Sequence, residues 1–189
     1  KTKKHIYLLL FFSNILCLYQ KVSLHDLRTL VVIDYAVEDF QTLVKVLLPS
    51  SDIIIIQPND SEVEQITQNL AKYTRLKSLH IISNGSPGCL YLGKSNLSLF
   101  ALNSYASQLK TWSVPNILLY GCNVAAGSIG KQFIQRLHLL TGSNIGASIW
   151  DEKDTNKGVC LQLNYFVGEI NSNLAILPSK WHNSLKGFG

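Results

Sequence analysis

From Thr29 onward, apolar residues alternate between two spacings. Short β-branched runs are followed by stretches with apolar residues every three or four positions. The first kind predicts buried strands and the second amphipathic helices. Leu30–Ile33, closed by Asp34, reads as a strand. Glu38–Leu48 places Phe40, Leu43, Val44 and Leu47 on one helical face, and Pro49 ends it. Ile53–Ile56 is the purest apolar run and reads as a fully buried strand. Ser61-x-x-Glu64 has the form of a capping box, and Val63, Ile66, Leu70 and Tyr73 continue as a helical stripe. Lys77–Ile82 is the third expected strand.

The middle of the chain changes character. Cys89–Leu92 and Leu97–Leu99, separated by Gly93–Asn96, predict a small hairpin. Phe100–Trp112 carries Leu102, Tyr105, Ala106 and Leu109 at helical spacing, and Pro115 breaks it. Ile117–Tyr120 is the fourth core strand. Ser128–Leu140 is a strong helix with Ile129, Phe133, Ile134, Leu137 and Leu140 inward and Gly142 as its C-cap. Ile145–Ser148 is a fifth strand, and Cys160–Phe166 alternates like an edge strand. Strands alternating with helices of this length predict a mostly parallel sheet covered on both faces, a three-layer α/β sandwich of Rossmann-like topology. The expected organisation is an apolar N-terminal segment over 1–25, one domain over 26–170 and a tail over 171–189.

Composition refines this picture. Of 189 residues, 47% are hydrophobic and 15% charged, enough apolar material for a sizeable core. The net charge of +5 is concentrated at the start: Lys1, Lys3, Lys4, Lys21 and Arg28 face one acid, Asp26, within the first 28 residues. The rest holds twelve basic and eleven acidic residues, so the body is almost neutral. That argues against a nucleic-acid-binding face. Lys1–His5 followed by the apolar Ile6–Tyr19 has the shape of a secretory signal or weak anchor, with a buried segment as the alternative. Membrane contact is expected only through that segment. The four cysteines, Cys17, Cys89, Cys122 and Cys160, form no C-x-x-C pair and have no histidine at zinc spacing. Neither a metal site, a cofactor nor a disulfide framework is expected from them.

Two turns carry the candidate chemistry. Ser83-Asn84-Gly85 follows the third strand, and Gly121-Cys122-Asn123 follows the fourth. Residues at the carboxyl edge of a parallel sheet line the crevice where open α/β folds do chemistry. Cys122 at a strand-to-helix turn is placed as a nucleophile is, although a small residue packed in a tight turn is the plainer reading. A thiol near its ordinary pKa needs a neighbouring base. The histidines offer none in reach. His80 lies four residues before Asn84, about 13 Å down the strand at 3.3 Å per residue. His138 lies about 15 Å away along the helix leaving Cys122. His5, His25 and His182 fall outside the recognisable core. Cys89 shares the rim with Cys122, where two free thiols are expected over a disulfide.

Several stretches in order resemble a bacterial domain family, domain of unknown function 4347. They are Ile33-Asp34, Glu38–Leu43, Val63–Ile66, Leu79–Gly88, Tyr105–Leu109 and Leu118–Ala125. That family is similar to the caspase–gingipain fold of cysteine peptidases, and its members form modules of large secreted or surface proteins, many cyanobacterial. The resemblance implies Cys122 at the nucleophile position, and the backbone N–H groups of Gly85 and Cys122 as oxyanion donors. It places Asn84 where a histidine base is expected. An amide accepts no proton near pH 7. The expectation is therefore a catalytically impaired pseudo-peptidase module, secreted or on the cell surface, that binds a peptide or a neighbouring domain of a longer parent protein. The alternative is an active cysteine peptidase, self-processing or not, that uses Cys122 with an unidentified base.

Overall fold

The computed structural model describes residues 28–47, 49–58, 61–149 and 162–173. Within them the chain forms nine strands and four helices. The strands are β1 (Arg28–Asp34), β2 (Ser51–Ile56), β3 (Leu76–Ile82), β4 (Asn84–Ser86), β5 (Cys89–Leu92), β6 (Ser95–Ser98), β7 (Asn116–Leu119), β8 (Asn144–Ala147) and β9 (Tyr165–Val167). The helices are α1 (Phe40–Val46), α2 (Glu62–Leu70), α3 (Ala106–Leu109) and α4 (Gly127–Thr141). The calls on residues 1–25 and on the tail beyond Asn173 lie outside the described residues, as do His5, His25, His182, Cys17 and Cys160.

A six-stranded sheet runs β2-β1-β3-β7-β8-β9. Every pair is parallel except β8 with β9. The alternation of side chains along each strand sorts the core into two layers. On one face Leu30, Val32, Leu79, Ile81, Ile117 and Leu119 meet apolar residues of α2, α3 and α4. On the other, Val31, Ile33, Ile82, Leu118 and Tyr120 meet Leu43 of α1. The expected three-layer α/β sandwich with a mostly parallel sheet is what forms.

Some local expectations are corrected. Ile53–Ile56 is not a fully buried strand: β2 is the sheet's edge, and Ile53 is 38% exposed. The stripe over Phe100–Trp112 becomes a run of turns with helix only over Ala106–Leu109. Both Ala101 and Leu102 donate to the Ser98 carbonyl at 3.0 Å. Leu102 and Leu109 are nonetheless fully buried, so the stripe reported burial correctly and helicity wrongly. Ser61 is the N-cap of α2 but makes no capping bond, and its hydroxyl is buried without a partner. The first helix is shorter than Glu38–Leu48, beginning after Asp39 in a left-handed conformation. Gly142 does cap α4, at φ 72°, with its N–H on the His138 carbonyl at 2.8 Å. The hairpin gains a third strand, because Asn84–Ser86 pairs antiparallel with Cys89–Tyr91 and makes a separate β4-β5-β6 sheet.

Candidate functional site at the β3 and β7 tips

The site is built by the register of β3 against β7. Ile81 pairs with Leu119, and the Tyr120 N–H donates to the Ile81 carbonyl at 2.9 Å. The chain segments leaving these strands therefore begin side by side. They remain in contact beyond the sheet. A Cβ placed on Gly85 would lie 2.6 Å from Val124 Cγ2, 3.0 Å from Gly121 Cα and 3.1 Å from the Cys122 carbonyl oxygen. Only a residue without a side chain lets the two backbones approach so closely. The Gly88 N–H donates to the Val124 carbonyl at 2.9 Å and ties the turns a second time.

Asn84, Gly85 and Cys122 are each half-buried, at adjoining strand tips. Asn84 pairs with Tyr91 and Gly85 with Leu90. Leu90 is in the core, so Asn84 and the exposed Tyr91 share the opposite face of the small sheet. The Tyr91 hydroxyl donates to the Ser86 hydroxyl at 2.8 Å, which fixes the ring beside Asn84. Asn123 adopts a left-handed conformation, φ 65°, as the chain turns toward α4.

The state of the sulfur differs from the expectation of two free thiols. Cys122 is disulfide-bonded. Its partner is not Cys89, which is free and half-buried. Burial pushes the Cys89 thiol above its ordinary pKa, so it resists ionisation. The spacing of the cysteines held no signal for the Cys122 bond.

Neither described histidine serves the crevice. His80 is fully buried, with both ring nitrogens engaged: Nδ1 with the Tyr120 hydroxyl at 2.8 Å and Nε2 with the Ser78 hydroxyl at 2.9 Å. The Ser78 hydroxyl in turn meets the Thr29 hydroxyl at 3.1 Å. Burial drives the His80 pKa down to about 4, so the ring is neutral at pH 7. His138 Nδ1 bonds the Ser143 carbonyl at 2.7 Å, beyond the far end of α4.

A second polar cluster went unread in the sequence. Asp34, the last residue of β1, is buried, and its Oδ1 accepts from the N–H groups of Gly93 at 3.2 Å and Ala36 at 3.4 Å. Glu62, the first residue of α2, is also buried, and its Oε1 accepts from the Lys94 N–H at 2.8 Å. The one signal for Asp34 was an acid directly closing a β-branched run. Glu62 looked like an ordinary acid in a helix's first turn. Among the described residues no group of three or more His, Cys, Asp or Glu side chains could hold a metal ion, and no helix is long and apolar enough to cross a membrane.

No curated protein matches this chain. A family model does, the domain of unknown function DUF4347, over residues 30–184. The match takes in every described strand and helix except the first two residues of β1, and both turns of the candidate site. By that extent, the chain belongs to the DUF4347 family.

Proposed function

We propose that this domain is a caspase-like module with impaired catalysis, whose crevice between the β3 and β7 tips binds a peptide segment or a neighbouring domain of an exported or cell-surface protein. The observation that carries the reading is Asn84 and Cys122 on adjoining tips, with the sulfur in a disulfide. An amide takes no proton at neutral pH. A sulfur in a disulfide is no thiolate, and the thiolate is the nucleophile. Loss of a general base alone commonly costs about 10²–10⁴ in rate. The disulfide also supports an oxidising compartment, as export requires. The near-neutral body favours a protein partner over a nucleic acid.

The test is turnover of mixed peptides by the purified chain, with and without a dithiol reductant, beside Asn84→His and Cys122→Ala. The expected result is no turnover by the unaltered chain in either condition, and turnover gained by Asn84→His only after reduction. Robust turnover by the reduced, unaltered chain, abolished by Cys122→Ala, would overturn the reading. It would establish instead an active cysteine peptidase drawing on a base other than Asn84.

A further inference from the structure

Asp34 and Glu62 approach one tight turn from different elements. The chain passes from β1 to β2 on one side and then to β3 on the other, so the carboxyl end of β1 lies at the reversal point of the sheet. Asp34 stands at that point. Glu62 arrives from the amino end of α2. Between them is the β5–β6 turn, Gly93-Lys94, which offers two consecutive N–H groups, one to each carboxylate. Gly93 has φ 57°, and any side chain there would collide with the Glu62 carboxyl. Both acids are almost completely excluded from water, 1% exposed for Asp34 and 0% for Glu62. Glu62 Oε2 has no hydrogen-bond partner at all. Among the described residues no lysine or arginine forms an ion pair with either acid: Lys94 contributes its backbone and is itself exposed. Glu64 on α2 and Tyr35, Glu38 and Asp39 after β1 are likewise exposed. The Glu62 charge bears on Asp34.

We infer that Asp34 and Glu62 form an acid-responsive clamp on the β5–β6 turn, gripping the β4-β5-β6 sheet most tightly in mild acid. The two carboxyls are driven apart. Burial, with the Glu62 charge, raises Asp34 above its ordinary range, against the pull of the Gly93, Ala36 and Tyr35 N–H groups. Burial also pushes Glu62 up, but the Ser95 hydroxyl and the Lys94 and Ser95 N–H groups outweigh it and leave Glu62 below its ordinary range. The signs follow. An acid raised by folding favours the folded state at low pH, and this is lost as pH rises through its folded value. An acid lowered by folding favours the folded state at higher pH, and this is lost as pH falls through its folded value. Between the two titrations Asp34 is neutral and Glu62 keeps its charge-assisted bond to Lys94. Above that window two like charges are buried together. Below it, the Lys94 bond loses its charge. Because β4 carries Asn84 and Gly85, the clamp also sets the rim of the crevice, a consequence that rests on the function proposed above.

The experiment is amide hydrogen exchange of the full chain from pH 3 to 8, corrected for intrinsic rates and read at Gly93 and Lys94. Protection is expected to peak between the titrations of the lowered Glu62 and the raised Asp34 and to fall on both sides, by roughly tenfold for each unit by which a carboxyl is displaced. Asp34→Asn should flatten the alkaline limb, and Glu62→Gln the acid limb. A profile without a maximum in the unaltered chain, or one that Asp34→Asn leaves unchanged, overturns the clamp. Capture of mixed peptides over the same pH range reads the crevice separately. Peptide capture that ignores a bell-shaped exchange profile counts against the crevice reading and leaves the clamp standing.

Discussion

The same strand face carries an imidazole at residue 80 and leads to an amide at residue 84, and the two have opposite fates. His80 lies inside the sheet, where Ser78 and Tyr120 satisfy both nitrogens and burial keeps the ring neutral. Asn84 stands at the strand tip next to Gly85, whose backbone meets the turn that holds Cys122. The ring able to take a proton is thus enclosed and fully bonded, and the residue at the tip is an amide. Residue type alone does not make a base. The step from β3 to β4 separates a buried hydrogen-bonding unit from a half-buried tip.

The interior unit should prove costly to break. His80→Phe removes the ring's bonds to the Tyr120 and Ser78 hydroxyls. Each lost buried bond costs about 0.5–1.5 kcal/mol, so a loss of up to about 3 kcal/mol is expected in urea unfolding. A loss under about 0.5 kcal/mol would mean that the ring contributes no more than a surface residue does.

Acid should act on the same unit. The His80 pKa falls from 6.5 to about 4 on folding. A base lowered in this way favours the folded state above its unfolded value, and the benefit is lost as pH falls from 6.5 toward 4. The size is about 3 kcal/mol by pH 4. The measurement is the difference in unfolding free energy between the unaltered chain and His80→Phe across that range. A difference independent of pH would show that His80 keeps its ordinary pKa.

The contact between the tips is next in size. Gly85→Ala introduces a methyl 2.6 Å from Val124 Cγ2 and against the backbone of Gly121 and Cys122. The Val124 methyl can give way, but the two backbone atoms cannot. A loss of about 1–3 kcal/mol is expected, as for overpacking in a core. Faster exchange at the Gly88 N–H, which bonds Val124, would locate the damage at the joined turns.

What could be read in the sequence follows the same division between interior and rim. The runs Leu30–Ile33, Leu79–Ile82 and Ile117–Leu119 announced the central strands because a strand buried on both faces needs little beyond apolar, β-branched residues. His80 was legible as out of reach of the crevice from its distance down the strand. The rim was not legible in this way. Asn84-Gly85-Ser86 is poor β-forming sequence, and it becomes a strand because Cys89–Tyr91 folds back upon it. Ile53 became exposed because strand order, which composition does not encode, put β2 at the edge. The bond at Cys122 depends on a pairing that cysteine spacing cannot specify. The tips themselves were expected as neighbours, since β3 and β7 were consecutive core strands of a parallel sheet.

The smallest expected effect sharpens the comparison most. Asn84→Ala removes a half-buried side chain that makes no side-chain hydrogen bond among the described residues, and changes of that kind stay within about ±0.5 kcal/mol. Held beside a loss of up to about 3 kcal/mol at His80→Phe, near-neutrality would mean that Asn84 is not kept for stability. Its place beside Tyr91 and the Cys122 turn would then be explained by what binds there. A loss of 2 kcal/mol or more, the scale of an orphaned buried hydrogen bond, would reverse that conclusion. Asn84 would then be a structural residue like His80, and the amide at the rim would say nothing about a ligand. Urea titration of the two variants under one condition decides between these outcomes, because both changes are then read in the same chain by the same measurement.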